Sequence, residues 1–191
     1  MTLEDKVDTL ARVLKKYMDT QSLRTKTSTI NFFSERGGQI QFGIIPPRYE
    51  VIERDGKSSR VISRDGAVLI EGAPPNPEKP GYLDWENKKV TFSLGDKDIG
   101  DILYALSRGN VNKNGELVSL YHKNVVGETE VGKTFKIKPG EQNSSGQSTF
   151  LVEISDVTNK RRVSIFVTGA DLMRLEVGLR AALPLVLGWI G

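Results

Sequence analysis

The chain contains no cysteine, which excludes disulfide bracing and thiolate chemistry and fits a reducing compartment. It contains one histidine, His122, so any metal site would rest mostly on carboxylates. Long hydrophobic runs are missing too. The longest, Ala181 to Ile190, is about ten residues, roughly half the ~20 that a membrane helix needs. Charge of one sign is not in large excess: 27 Lys and Arg against 24 Asp and Glu leave a net +3. A basic surface must therefore come from placement, and nucleic acid is permitted rather than demanded. The first residues carry Glu4, Asp5 and Asp8, unlike the apolar core of a secretory leader or an acid-poor transit peptide. These absences predict an intracellular protein, cytoplasmic or nucleoid-associated, or the mature part of an imported one, with no membrane partner.

What is present is a repetition. Lys88 to Leu106, KKVTFSLGDKDIGDILYAL, reads as a basic-edged strand running into a helix. Arg161 to Leu175, RRVSIFVTGADLMRL, repeats it at an offset of 73 residues (161 − 88). Lys88-Lys89 align with Arg161-Arg162, Val90 with Val163, and Asp98 with Asp171. A supersecondary unit used twice is the direct implication.

The rest of the chain supports two such halves. Thr2 to Thr20 places Leu3, Val7, Leu10, Leu14 and Tyr17 at helical spacing, an amphipathic helix or arm within residues 1–24. From Thr25 the period becomes two. Gln39 to Ile44 alternates strictly, with Gln39 and Gln41 on one face after a Gly37-Gly38 turn. Asp55-Gly56 and Asp65-Gly66 mark further hairpin turns. Pro74 to Gly81 holds four prolines in eight residues and reads as a stiff loop. The polar stretch Asn110 to Gly115 divides the domain of residues 25–191 into repeat one, 25–109, and repeat two, 115–191. Glu116–His122, Thr134–Lys138, Phe150–Ser155 and Arg162–Val167 read as the strands of the second repeat. A last helix follows, with Leu172, Leu175, Leu179, Leu183 and Val186 in one stripe. Beyond Leu179 it is apolar almost all round, which suggests burial between subunits. The fold class is α+β: two repeats of an antiparallel sheet plus helix.

Gly127 to Thr134 (GETEVGKT) matches the phosphate-loop pattern, whose mechanism requires a helix after the lysine. The residues that follow, Phe135 to Pro139, alternate like a strand, so a hairpin is the better reading. Nucleotide hydrolysis stays as a lesser alternative. Asp98 and Asp101 read as helix-dipole partners, and His122 has no catalytic companion in the sequence. The expectation is a protein without enzymatic activity, cofactor or metal.

The strands carry the functional signal. Lys136 and Lys138 share one face of their strand, Lys88, Lys89, Arg161 and Arg162 start equivalent strands, and Arg36, Arg48, Arg60 and Arg64 lie near Phe32, Phe33 and Tyr49. Cations neutralise phosphates and aromatic faces stack unpaired bases. No helix is basic enough to read a major groove.

Ser63-Arg64-Asp65-Gly66 running into Ala67 to Pro74, then Leu83-Asp84-Trp85, Lys88 to Leu94, Asp98-Ile99-Gly100 and Leu183 to Trp189, together resemble the Whirly family of single-stranded DNA-binding proteins. Related sheet-helix folds occur in kinetoplastid guide-RNA-binding proteins and the positive coactivator four family. The resemblance implies two repeats of four antiparallel strands plus a helix. It also implies a homotetramer with helices at its centre, and binding of single-stranded DNA with little sequence preference, in replication, recombination or repair. Gly37 to Phe42 stands where the family has K-G-K-A-A-L. Both lysines are absent here, and higher-order assembly through that element is not carried over.

The expected DNA contacts are Phe32, Phe33, Arg36, Gln39, Gln41, Arg48, Tyr49, Arg60, Arg64, Lys88, Lys89, Lys136, Lys138, Arg161 and Arg162. The expected oligomer core is Leu172, Leu175, Leu179, Leu183, Val186 and Trp189. RNA binding or annealing on the same fold is the main alternative.

Overall fold

The computed structural model describes residues 30–34, 37–126 and 129–188. The expected N-terminal helix, Arg36, Trp189 and Gly127-Glu128 lie outside these residues.

Period-two alternation builds the strands β1 (Ile30–Ser34), β2 (Gly38–Ile45), β3 (Arg48–Arg54), β4 (Lys57–Arg64), β5 (Ala67–Ala73) and β6 (Val90–Leu94). Helix α1 (Asp96–Arg108) closes the first half. The second half is β7 (Val118–Val126), β8 (Thr129–Gln142), β9 (Ser148–Asp156), β10 (Arg161–Thr168) and α2 (Gly169–Val186). One antiparallel sheet has the order β1-β2-β5-β6 and the other β10-β9-β8-β7, while β3 and β4 pair only with each other. The duplication is therefore real in three dimensions: four strands, then a helix, twice. Repeat one differs by the β3–β4 ribbon inserted between β2 and β5.

The two helix starts are built alike. In α1, the Asp98 carboxylate accepts from the Gly95 N–H at 2.9 Å. In α2, the Asp171 carboxylate accepts from the Thr168 N–H at 3.2 Å, and the Thr168 hydroxyl accepts from the Asp171 N–H at 3.3 Å. Each acid thus satisfies an orphan backbone donor and sits at the positive end of the dipole. Asp98 also meets His122 Nε2 at 3.2 Å, and the His122 ring stacks on Phe92 with centroids 4.3 Å apart. That gives the lone histidine a structural place, joining β7 to α1 and β6.

The core lies between the inner faces of the two sheets and under the helices. Phe42 and Phe92 of the first sheet both reach Phe135 of the second, each with ring centroids 6.1 Å apart. Ile40, Ile70, Ile137, Ile154 and Ile165 fill the space around them and are fully buried. Gly38 adopts φ +98°, and a Cβ there would stand 2.2 Å from the Ala73 carbonyl oxygen, so this turn requires glycine.

Helix α2 corrects an expectation. Leu172, Leu175, Leu179 and Val186 are buried within the chain's own core, and Leu183 packs against it. Their stripe is consumed by the sheets of the same subunit and is not a free oligomer surface. The apolar groups that α2 and α1 leave exposed are others: Met173, Val177 and Tyr104. The helix also continues through Pro184 to Val186. Among the described residues no helix is long and apolar enough to cross a membrane.

Candidate nucleic-acid interface

Alternation sends every second side chain of each sheet away from the core. On the second sheet the register aligns Ser119, Lys136, Glu153 and Ser164 in one outward row, and Tyr121, Thr134, Ser155 and Arg162 in the next. Lys138, Leu151 and Phe166 make a third. Tyr121 (56% exposed) and Phe166 (63%) stand clear of this face. On the first sheet the outward rows are Asn31-Gln41-Glu71-Thr91 and Phe33-Gln39, the latter ending at the buried Ala73, with Phe33 63% exposed. Both outer faces thus mix polar groups with standing aromatic rings.

Some of the cations on these faces are already answered. Glu116, buried at the start of β7, receives Lys136 Nζ at 2.7 Å and Lys138 Nζ at 3.4 Å. The hydrogen bond from Lys136 holds the Glu116 carboxyl down at about 2, against the opposing pull of burial. Lys89 turns to Glu71 at 3.0 Å, and the Gln41 amide donates to the same carboxylate at 2.9 Å. Arg162 pairs with Glu153 at 3.2 Å.

Glu116 makes stability depend on pH. Its folded pKa lies below the ordinary 4.5, so its contribution is complete above about pH 4.5 and is lost as pH falls toward 2. Urea unfolding at pH 6 and pH 3 should show Glu116→Gln less stable than wild type at pH 6, with the gap narrowing at pH 3. An equal gap at both values would refute the linkage.

Other cations meet in one place. The turns entering β6 and β10 converge on one cleft of about 620 Å³, lined by Pro74, Pro75, Pro77, Asn87, Lys88, Asn159, Lys160, Arg161 and Arg162. Lys88, Lys160 and Arg161 have no salt-bridge partner among the described residues. Both turns are braced in the same way. The Asp84 carboxylate accepts from the Asn87 N–H at 3.2 Å and its side-chain amide at 3.1 Å. The Asp156 carboxylate accepts from the Asn159 N–H at 2.9 Å and its side-chain amide at 2.8 Å. Burial pulls the Asp156 pKa up, but the Asn159 bonds and the charges of Lys133 and Arg161 hold it below its ordinary value. Asp84 to Lys88 and Asp156 to Lys160 are one motif, D-x-x-N-K, used twice at an offset of 72 (156 − 84). Each copy delivers an asparagine and a lysine to the shared cleft.

Beside this cleft lies a second hollow of about 360 Å³, lined by Phe33, Pro75, Gly81, Tyr82 and Leu83. Pro75 is a wall of both. Tyr82 stands 69% exposed at its edge.

The expected contacts thus fall into four fates. Lys88, Arg161 and Arg162 come together in the cleft, with Phe33 in the hollow beside it. Gln39, Gln41, Lys89, Lys136 and Lys138 lie on the sheets, the last three held by carboxylates. Arg48, Tyr49, Arg60 and Arg64 belong to the separate β3–β4 ribbon, where Arg60 covers the Tyr49 ring at 4.0 Å and the Tyr49 hydroxyl donates to the Gly188 carbonyl at 3.2 Å. Phe32 is overturned: it is 4% exposed and packs edge-on against Phe42, so no base can stack on it. Sequence reasoning missed Tyr82, Tyr121, Phe166, Lys160, Asn87 and Asn159. Phe166 was recoverable, because Val163, Ile165 and Val167 point inward and force it out.

The phosphate-loop reading is also overturned. Thr129 onward is strand β8, and no helix follows Lys133. Lys133 Nζ instead donates to the Thr91 hydroxyl at 3.0 Å, and the Thr134 and Ser155 hydroxyls share a hydrogen bond at 2.6 Å.

Known proteins share this architecture. WHY3 from Arabidopsis thaliana superposes with a TM-score of 0.60 at 20% identity, over 85% of this chain and 89% of that one. WHY1 from Arabidopsis thaliana gives 0.59 at 20% identity, over 85% and 92%. The plant transcriptional regulator PBF-2 gives 0.58 at 20% identity, over 85% and 84%. No curated protein is significantly similar in sequence. The family model described as Whirly transcription factor matches residues 35–177. With that match spanning most of the sequence, the chain belongs to the Whirly family.

Proposed function

We propose that this chain is a non-catalytic single-stranded DNA-binding protein with little sequence preference, acting where single strands are exposed in replication, recombination or repair. The observation that carries the reading is the cleft between the repeats, where Lys88, Lys160 and Arg161 converge with no salt bridge among the described residues. Cations not held in salt bridges release condensed counterions when they meet phosphates, which favours any strand regardless of sequence. Standing rings at Phe33, Tyr82, Tyr121 and Phe166 favour unpaired bases, whose faces are free, over a duplex, whose bases are stacked. A regulatory role of the kind named for PBF-2 is compatible with the same chemistry. The exposed Met173, Val177 and Tyr104 support a homotetramer joined through the helices. A monomer mass in sedimentation at micromolar concentration would overturn that assembly.

The functional test is a competition among a dT oligomer, a duplex and a matched RNA, each displacing labelled dT oligomer from the full chain. Single-stranded DNA should compete best. Stronger competition by RNA would assign the interface to RNA, since only RNA offers the 2′-hydroxyl, and equal competition would show an interface blind to the sugar. Failure of all three would remove nucleic acid altogether.

A further inference from the structure

Tyr82 is an exposed aromatic on a loop, a position where mobility would be ordinary, yet its backbone is fixed on both sides. The Asn76 N–H donates to the Tyr82 carbonyl at 2.8 Å, and the Tyr82 N–H donates to the Lys79 carbonyl at 3.1 Å. Pro75 bridges to Leu83, and the Asp84 N–H donates to the Pro74 carbonyl at 2.9 Å. The Asn76 side chain accepts from the Glu78 and Lys79 N–H groups at 2.9 and 3.2 Å. Four prolines stiffen the same loop. Directly after it, Asp84 turns the chain and the Lys88 N–H donates to the Asp84 carbonyl at 3.2 Å. One braced segment therefore presents an aromatic ring to the hollow at one end and, at the other, a lysine with no salt bridge among the described residues to the cleft.

We propose that the hollow lined by Phe33, Pro75 and Tyr82 is a base-stacking subsite, and that it works with the adjoining cleft as one nucleotide site. A phosphodiester lies against Lys88, Lys160 and Arg161, and the base of a flanking nucleotide turns into the hollow onto the rings of Tyr82 and Phe33. This rests on the single-stranded DNA reading above and assigns its register. The hollow's 360 Å³ falls in the ~300–1,000 Å³ range of small-ligand sites. Its walls carry no side-chain amide or carboxylate, and the Tyr82 hydroxyl is their one polar side-chain group, so it holds a base chiefly by its face. A paired base cannot enter, because its face is already covered. The subsite is thus a physical cause of both strand selectivity and sequence tolerance.

The test uses the full chain with two probes: a dT oligomer, and an oligomer of equal length made of abasic sugar-phosphate units. Tyr82→Ala should weaken the dT oligomer about tenfold, leave the abasic oligomer unaffected, and keep the salt slope unchanged. Tyr82→Phe, which keeps the ring, should bind like wild type. Phe33→Ala should follow Tyr82→Ala in direction. Both residues are exposed, so these variants should fold, and unchanged thermal melts check it. If Tyr82→Ala weakens both probes equally, or neither, the base subsite is wrong while the DNA reading stands. A Tyr82→Phe loss as large as the alanine loss would also overturn stacking. If the wild type binds neither probe, the DNA reading itself fails and the subsite falls with it.

Discussion

Replacing Lys88, Lys160 and Arg161 together with alanine is expected to weaken dT-oligomer binding about a hundredfold at 0.1 M salt. Each phosphate contact on a single strand contributes a salt slope of about −0.7, hence roughly fivefold in affinity at 0.1 M, and three such factors multiply to about a hundred. Arg162 is left in place because Glu153 already offsets it at 3.2 Å. Removing only Lys88, or only Lys160 with Arg161, should weaken binding without abolishing it, because the cleft draws on both repeats. Fluorescence anisotropy measures all three variants. A triple variant within threefold of wild type would show that the cleft is a bystander and the outer sheet faces carry the DNA.

The second large effect concerns the joint between the repeats. Phe135→Ala should destabilise the fold by about 3–5 kcal/mol, the usual cost of emptying a phenylalanine site in a packed core. Phe135 is fully buried and touches Phe42 and Phe92 across the sheet interface, so little can collapse into the space. Urea denaturation should show the lower midpoint. A loss below 1 kcal/mol would mean that the sheets do not depend on this contact, and that the cleft's two turns are aligned by something else.

Much of this architecture was legible because alternation and duplication are local. Gln39 to Ile44, Phe135 to Ile137 and Arg162 to Val167 each show their buried face by parity alone. Asp98 and Asp171 marked both helix starts, and the structure adds a cap bond at each. What stayed hidden depends on pairing between distant segments. Phe32 and Phe33 are equivalent as letters, and only the register Phe32↔Ile40 decides which ring faces the core. Beyond Leu179, α2 looked too apolar for one subunit because the sequence does not show the chain's own core closing over its stripe.

The site was half legible. Lys88, Arg161 and Arg162 were visible as basic strand starts, yet their meeting in one cleft was not. The repeated D-x-x-N-K turn escaped because the strands align at an offset of 73 and the turns at 72, one residue apart. The pairing of Lys136 and Lys138 with Glu116 was invisible for a similar reason: the acid lies on the neighbouring strand's approach, 20 residues before Lys136. Tyr82 was hidden at the end of a proline-rich stretch whose backbone bonds are not local signals.

The central claim is that cations at the junction of the two repeats, free of salt bridges among the described residues, hold the phosphates of single-stranded DNA. The slope of log affinity against log salt for a dT oligomer tests it most directly, compared between wild type and the Lys88, Lys160 and Arg161 alanine variant. Three lost contacts should reduce the slope's magnitude by about 2. Identical slopes in the two proteins would contradict it.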